Sequence, residues 1–158
     1  MPIVWGVLYR STIGFEFRAV GANPKAALTA GVRAARGGII VTTDADCSVS
    51  PKWLHVIRAQ FKNPRIMMAF GPVRLQGDDS FFHSTQAMEF SSLIGTGAAT
   101  AALGFPMLCN GANLAFRKKA FTSVKGYDDN LQIPSGDDEF LMRKIEKAYP
   151  GSIRFINN

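Results

Sequence analysis

The chain has 158 residues, with 18 basic against 12 acidic, a formal net charge of +6, 47% hydrophobic and 19% charged residues. Those proportions fit one globular domain that buries roughly 70% of its unfolded surface, and they exclude a disordered acidic chain, a collagen-like repeat and a disulfide-rich miniprotein. The two cysteines, Cys47 and Cys109, stand far apart with no Cys-x-x-Cys spacing, which points to a reducing compartment and away from structural zinc.

Apolar stretches over 3–9 and 15–20 read as strands, the second alternating Phe15 and Phe17 with Glu16 and Arg18. The start has no basic region ahead of its apolar run, so no signal peptide is expected. Asn23-Pro24 reads as an N-cap with proline in the first helical position. Leu28, Val32 and Ala35 continue at helical spacing until Gly37-Gly38 stops the helix. Ile39-Ile40-Val41 follows as a short β-branched strand of the kind buried on both faces, running into Thr42-Thr43-Asp44-Ala45-Asp46.

Ser50-Pro51 opens a helix expected to place Trp53, Leu54, Ile57 and Phe61 on one side. A strand is expected over 66–75, a polar turn over 76–79 and a helix over 81–93. A loop through Asn110-Gly111-Ala112-Asn113 leads to a strand over 114–117 and a short helix near 118–121. The last helix opens at Ser135-Gly136-Asp137-Asp138, carries Phe140, Leu141, Ile145 and Ala148, and stops at Pro150-Gly151, ahead of a strand over 153–156. This alternation argues for one α/β domain over 1–158, a sandwich with a mostly parallel sheet. The uncharged stretch over 90–116 is diluted by glycine, proline, asparagine and hydroxyl residues, so a buried or groove-lining helix is expected there and not a membrane span.

All eight aspartates fall in four close pairs. Asp78/Asp79 and Asp128/Asp129 sit in turn contexts. Asp44 and Asp46 leave the carboxyl end of an apolar strand, where open α/β sheets place their ligands. Paired hard oxygen donors there suit Mg²⁺ or Mn²⁺, with water and phosphate oxygens completing the set. Asp137 and Asp138 have two readings on spacing alone. Ser135-x-x-Asp138 fits a capping box that offsets the helix dipole, and helix-start carboxylates in a cleft are also placed as general bases. His55 and His83 have no partner at ligand spacing and are expected at the surface or boundary.

Taken in order, Asn23 to Leu28, Gly37 to Asp46, Pro51-Lys52-Trp53-Leu54, Gly71-Pro72-Val73, Cys109 to Arg117 and Ser135 to Leu141 resemble a family 2 glycosyltransferase with the GT-A fold, over about 21–155. The resemblance implies a partial GT-A three-layer sandwich and an inverting, metal-dependent transferase using Mg²⁺ or Mn²⁺. It implies a nucleotide-sugar donor (a UDP-sugar) and a carbohydrate or lipid-linked acceptor. Asp46 becomes the metal ligand, and Asp44 reaches the ribose or shares the metal. Lys25, Asn110, Gly111 and Asn113 border the donor and acceptor. Asp138 becomes the base, with Asp137 replacing the Glu of the family's Glu-Asp pair. The family's opening acidic strand and its Gln-x-x-Arg-Trp motif have no counterpart, so the resemblance further implies the middle of a longer enzyme, cytoplasmic and at the cytoplasmic face of a membrane.

Two other classes use the same features. A haloacid-dehalogenase-type phosphohydrolase also places Asp-x-Asp after an apolar strand and would make Asp44 a nucleophile. The net charge also suits a non-enzymatic module that binds anionic lipid or nucleic acid through Arg117-Lys118-Lys119, Arg143, Lys144 and Lys147. The dispersed aromatics offer no stacking platform, so nucleic acid is not expected as a partner.

Overall fold

The computed structural model describes residues 24–128 and 136–157. Its elements in chain order are α1 (Pro24–Ala34), β1 (Ile39–Thr42), α2 (Trp53–Gln60), β2 (Met68–Phe70), α3 (Phe81–Ala102), β3 (Leu114–Arg117), α4 (Lys118–Ser123), α5 (Asp137–Ala148) and β4 (Ile153–Phe155). The strands expected over 3–9 and 15–20, and the caps at Asn23 and Ser135, lie outside the described residues. What precedes α5 is Gly136, with φ of 81° in the left-handed region that glycine adopts at little cost.

The four strands are ordered β1-β3-β2-β4. β3 pairs antiparallel with both β1 and β2, while β2 and β4 are parallel. The expectation of a mostly parallel sheet is therefore corrected, since two of the three ladders are antiparallel. The reason lies in the register. Leu114, the first residue of β3, faces both Thr42 and Phe70, the last residues of β1 and β2. The chain enters β3 from the carboxyl ends of its neighbours and has to run back between them, so β1, β2 and β4 keep one direction and β3 alone opposes it. That edge of the sheet gathers three strand ends and one strand start.

Alternation along β3 builds two apolar layers. Leu114 and Phe116 point to a cluster with Val32 of α1, Phe121 of α4 and Leu141, Met142 and Ile145 of α5. Ala115 points to the opposite cluster, with Ile57 and Phe61 from the α2 side. Helices thus cover both faces, giving three layers. Phe116 stacks on Phe121 at 5.4 Å, and Phe121 meets Tyr127 edge-on at 5.3 Å.

Several expected elements differ from the structure. β1 is half-buried along its length, because it ends the described sheet; Ile40 packs on the first cluster, Ile39 and Val41 on the second. β2 is confined to three residues within the expected 66–75. Leu54 is 60% exposed, because only the Ile57 side of α2 meets the sheet. The helix expected over 81–93 continues to Ala102, and Gly97 is its one buried residue. Phe81, Phe82, Met88 and Leu93 are exposed on it while Phe90, Leu93, Ile94 and Gly97 line pockets, so of the buried and groove-lining alternatives the second describes it. No helix among the described residues is long and apolar enough to cross a membrane.

The basic residues at the end of β3 hold helix ends together. Arg117 donates from Nε to the Ile66 carbonyl (2.8 Å) and from Nη2 to the carbonyls of Phe61 (2.9 Å) and Asn63 (3.2 Å), with its guanidinium over the Phe61 ring. Lys118 Nζ donates to the carbonyls of Arg33 (2.8 Å) and Ala35 (2.7 Å). The carbonyls of Phe61 at the end of α2 and of Arg33 and Ala35 at the end of α1 thereby receive cationic donors. Lys144 donates to the Gly126 carbonyl, and Arg143 pairs with Glu139 across one helical turn. Replacing Arg117 by Met should therefore lower stability by about 2–3 kcal/mol, the scale of losing hydrogen bonds from a charged donor. A urea midpoint compared with that of Arg117→Lys, which restores charge but not the fork, checks it.

Candidate active site at the carboxyl ends of β1 and β2

The edge where β1 and β2 end and β3 begins opens into a cleft of about 580 Å³. Asp44, Asp46 and Cys47 line it from the turn after β1, Trp53 from α2, and Pro72 to Gln76 from the segment after β2. Asn110, Ala112 and Asn113 contribute the wall that precedes β3, and Phe90 comes from α3. The turn after β1 is closed by the Cys47 amide donating to the Asp44 carbonyl at 3.2 Å. A ligand atom from each of Asp44, Asp46 and Cys47 then lies within 4.8 Å of the others.

Asn113 fixes the walls. Its Oδ1 accepts from Trp53 Nε1 at 3.0 Å, and its Nδ2 donates to the Pro72 carbonyl at 2.9 Å. Its own carbonyl accepts from the Gly71 amide at 2.9 Å. A Cβ at Gly71 would collide with the Asn113 side chain, which accounts for glycine there. Asn110 shapes the same loop, its Oδ1 accepting from the Ala112 amide at 2.8 Å. Thr42 Oγ1 donates to the Gly111 carbonyl at 2.7 Å, joining the end of β1 to the loop.

Asp138, in the first turn of α5, is not part of the cleft lining. Its carboxylate lies against Gly111, so a Cβ at that position would overlap it. Gly111 is flanked by Asn110 and Ala112, both in the cleft wall. The loop thus has the Asp44/Asp46 cleft beside it and the Asp138 carboxylate against its glycine. The side chains of Lys25 and Asp137 lie outside the described residues.

A smaller apolar pocket of about 140 Å³ adjoins the cleft and shares Phe90 and Asn110 with it. Leu93, Ile94, Leu108, Cys109 and Glu139 complete much of its wall. Burial, reinforced by the negative charges of Asp138 and Glu139, pushes the Cys109 thiol far above the ordinary thiol range. Sequence reasoning missed this pocket, because its residues come from α3, the segment before β3 and α5, with no common motif.

The other aspartates among the described residues, Asp78, Asp79 and Asp128, lie outside the cleft lining, and Asp129 lies outside the described residues. Asp78 accepts from the Ser80 hydroxyl at 2.6 Å and from its amide at 3.3 Å, which hold its carboxyl below the usual range. Ser80 in turn caps α3. Asp79 and Asp128 are exposed, as is His55, while His83 is partly buried and packs over Gly77.

Glycosyl transferase family 21 matches residues 9–149. The chain belongs to that family. A search of curated proteins returns no match. The motif order had pointed to a glycosyltransferase, which the match supports, but to family 2 over about 21–155, where the match is to family 21 and begins further upstream. The family decides for a transferase over the phosphohydrolase and over the basic binding module. The structure adds a physical reason against the latter, since Arg117, Lys118 and Lys144 are engaged with backbone carbonyls.

Two outcomes follow for these walls. Asn113→Leu should destabilise the fold by about 1–3 kcal/mol, since the half-buried Trp53 Nε1 and the Pro72 carbonyl both lose this partner; a thermal melt checks it. With a thiol-reactive disulfide at pH 8, Cys47, on the cleft wall, should react quickly. Cys109 should react only after denaturation, and the two phases separate in a stopped trace.

Proposed function

We propose that this protein transfers a sugar from a nucleotide-diphospho-sugar, a UDP-sugar, to an acceptor hydroxyl with inversion, using Asp44 and Asp46 to hold Mg²⁺ or Mn²⁺ and Asp138 as the base. The observation that carries this reading is the loop of Asn110, Gly111 and Ala112, with the aspartate cleft beside it and the Asp138 carboxylate against it. The donor set fits a divalent cation, for it offers two exposed carboxylates close enough to share one ion. When bound there, such a cation neutralises charge on the departing diphosphate.

The chain's own groups account for the rest. The cleft, walled by Trp53 and the segment after β2, takes the nucleotide and sugar, with Lys25 and Asp44 on the donor. Asn110, Gly111 and Asn113 border the donor and the acceptor where the two meet. Asp138 takes the proton of the incoming hydroxyl, and approach from its side sets the departing diphosphate on the opposite face of the anomeric carbon, hence inversion. Asp137 supports Asp138 at the helix start.

Of the carbohydrate and lipid-linked acceptors, the apolar pocket beside Cys109 and Glu139 favours one with an apolar portion. Work at the cytoplasmic face of a membrane is supported by two features. Both cysteines are free, and Phe81, Phe82, Met88, Leu93, Leu103, Phe105 and Met107 lie exposed along and just after α3.

With UDP-sugars and Mn²⁺, the protein should release UDP, and Asp138→Asn should slow that release by about 10²–10⁴-fold while melting within a few degrees of wild type. Turnover undiminished in Asp138→Asn, or hydrolysis of a generic phosphate ester in place of UDP release, would overturn the reading. UDP should raise the melting temperature only when Mn²⁺ is present, and Asp46→Ala should abolish that rise.

A further inference from the structure

The turn that presents Asp44 and Asp46 presents a third donor of different chemistry. Cys47 follows Asp46 directly, and its amide closes the turn onto Asp44, so the three side chains leave one tight bend. Their ligand atoms lie within 4.8 Å of one another, and all three residues line the same cleft. Metal–oxygen bonds of about 2.1 Å and metal–sulfur bonds of about 2.3 Å set donors at most about 4.4 Å apart across an ion. Small side-chain rotations of two exposed aspartates and a half-exposed cysteine cover that difference.

We infer that the Cys47 sulfur is a third protein ligand of the cation held by Asp44 and Asp46, and that it tilts the site toward Co²⁺ and Zn²⁺ over Mg²⁺. This rests on the metal reading above for the two aspartates and adds to it the sulfur and the selectivity. Mg²⁺ keeps oxygen ligands and releases its waters reluctantly, so a sulfur beside two carboxylates gives it little. Softer cations gain a strong bond from the same atom. On binding, the Cys47 S–H bond breaks, its proton passes to solvent, and the sulfur lone pair forms the bond to the metal. No electron is transferred. Cys109 cannot take this role, for it lies in the apolar pocket beside Asp138 and Glu139, outside the turn.

The test is cobalt titration of the reduced protein without nucleotide, read by absorption. Wild type and Cys109→Ser should develop the near-ultraviolet thiolate-to-cobalt band, saturating at one equivalent. Cys47→Ser and Cys47→Ala should lose the band. Their Co²⁺ affinity should fall by at least the roughly 10–100-fold that follows loss of a mere supporting partner of a ligand, while Mg²⁺ affinity stays within about twofold. Saturable Co²⁺ binding that Asp46→Ala weakens, with no band and no effect of either Cys47 variant, overturns the sulfur ligand and leaves the aspartate site standing. A band that survives in Cys47→Ser and disappears in Cys109→Ser overturns it equally. Absence of any saturable Co²⁺ or Mn²⁺ binding by wild type overturns both the sulfur ligand and the aspartate site.

Discussion

Asn113 is the point on which the cleft depends. One amide side chain joins Trp53 of α2 to the Pro72 carbonyl after β2, and the same residue's carbonyl receives the Gly71 amide. Three segments distant in sequence are thereby held at fixed separation around the cleft. Packing alone would close such a space, because apolar surface gains by collapse. Directional hydrogen bonds to a short, planar side chain resist that, and the glycine at 71 is the steric condition for it.

The glycine at 111 carries a parallel constraint from the other side. The Asp138 carboxylate occupies the space a side chain would need, so the first turn of α5 reaches the loop backbone through that carboxylate. A carboxylate in the first turn of a helix is favoured by the dipole. The same first-turn position that suits the dipole also brings the acid against the loop. Structural and chemical explanations of Asp138 are compatible, and spacing alone could not separate them.

Much of this was legible in the residues. Apolar runs with turn signals between them located β1, β3, β4 and the helices α1, α2, α4 and α5, and the strand-end placement of Asp44 and Asp46 pointed to the cleft. Strand direction was not legible, because β3 is reached by a loop whose length permits either sense; only the register of Leu114 against Thr42 and Phe70 fixes it. Nor was the fate of Arg117 and Lys118 legible. A basic run reads as solvated surface until the helix ends it caps are placed in space. A helix at α3 was legible, but its extension to Ala102 and its exposure were not, because its composition resembles a core helix, with Glu89 its only formal charge.

Strand order also bears on biosynthesis. β1 and β2 are neighbours in sequence but not in the sheet, since β3 lies between them, and the other partner of β2 is β4. A growing polypeptide that has emerged only as far as residue 113 therefore contains no two of the described strands able to form a ladder with each other. Both aspartates of the first turn have by then left the ribosome, waiting on four residues that make the sheet continuous.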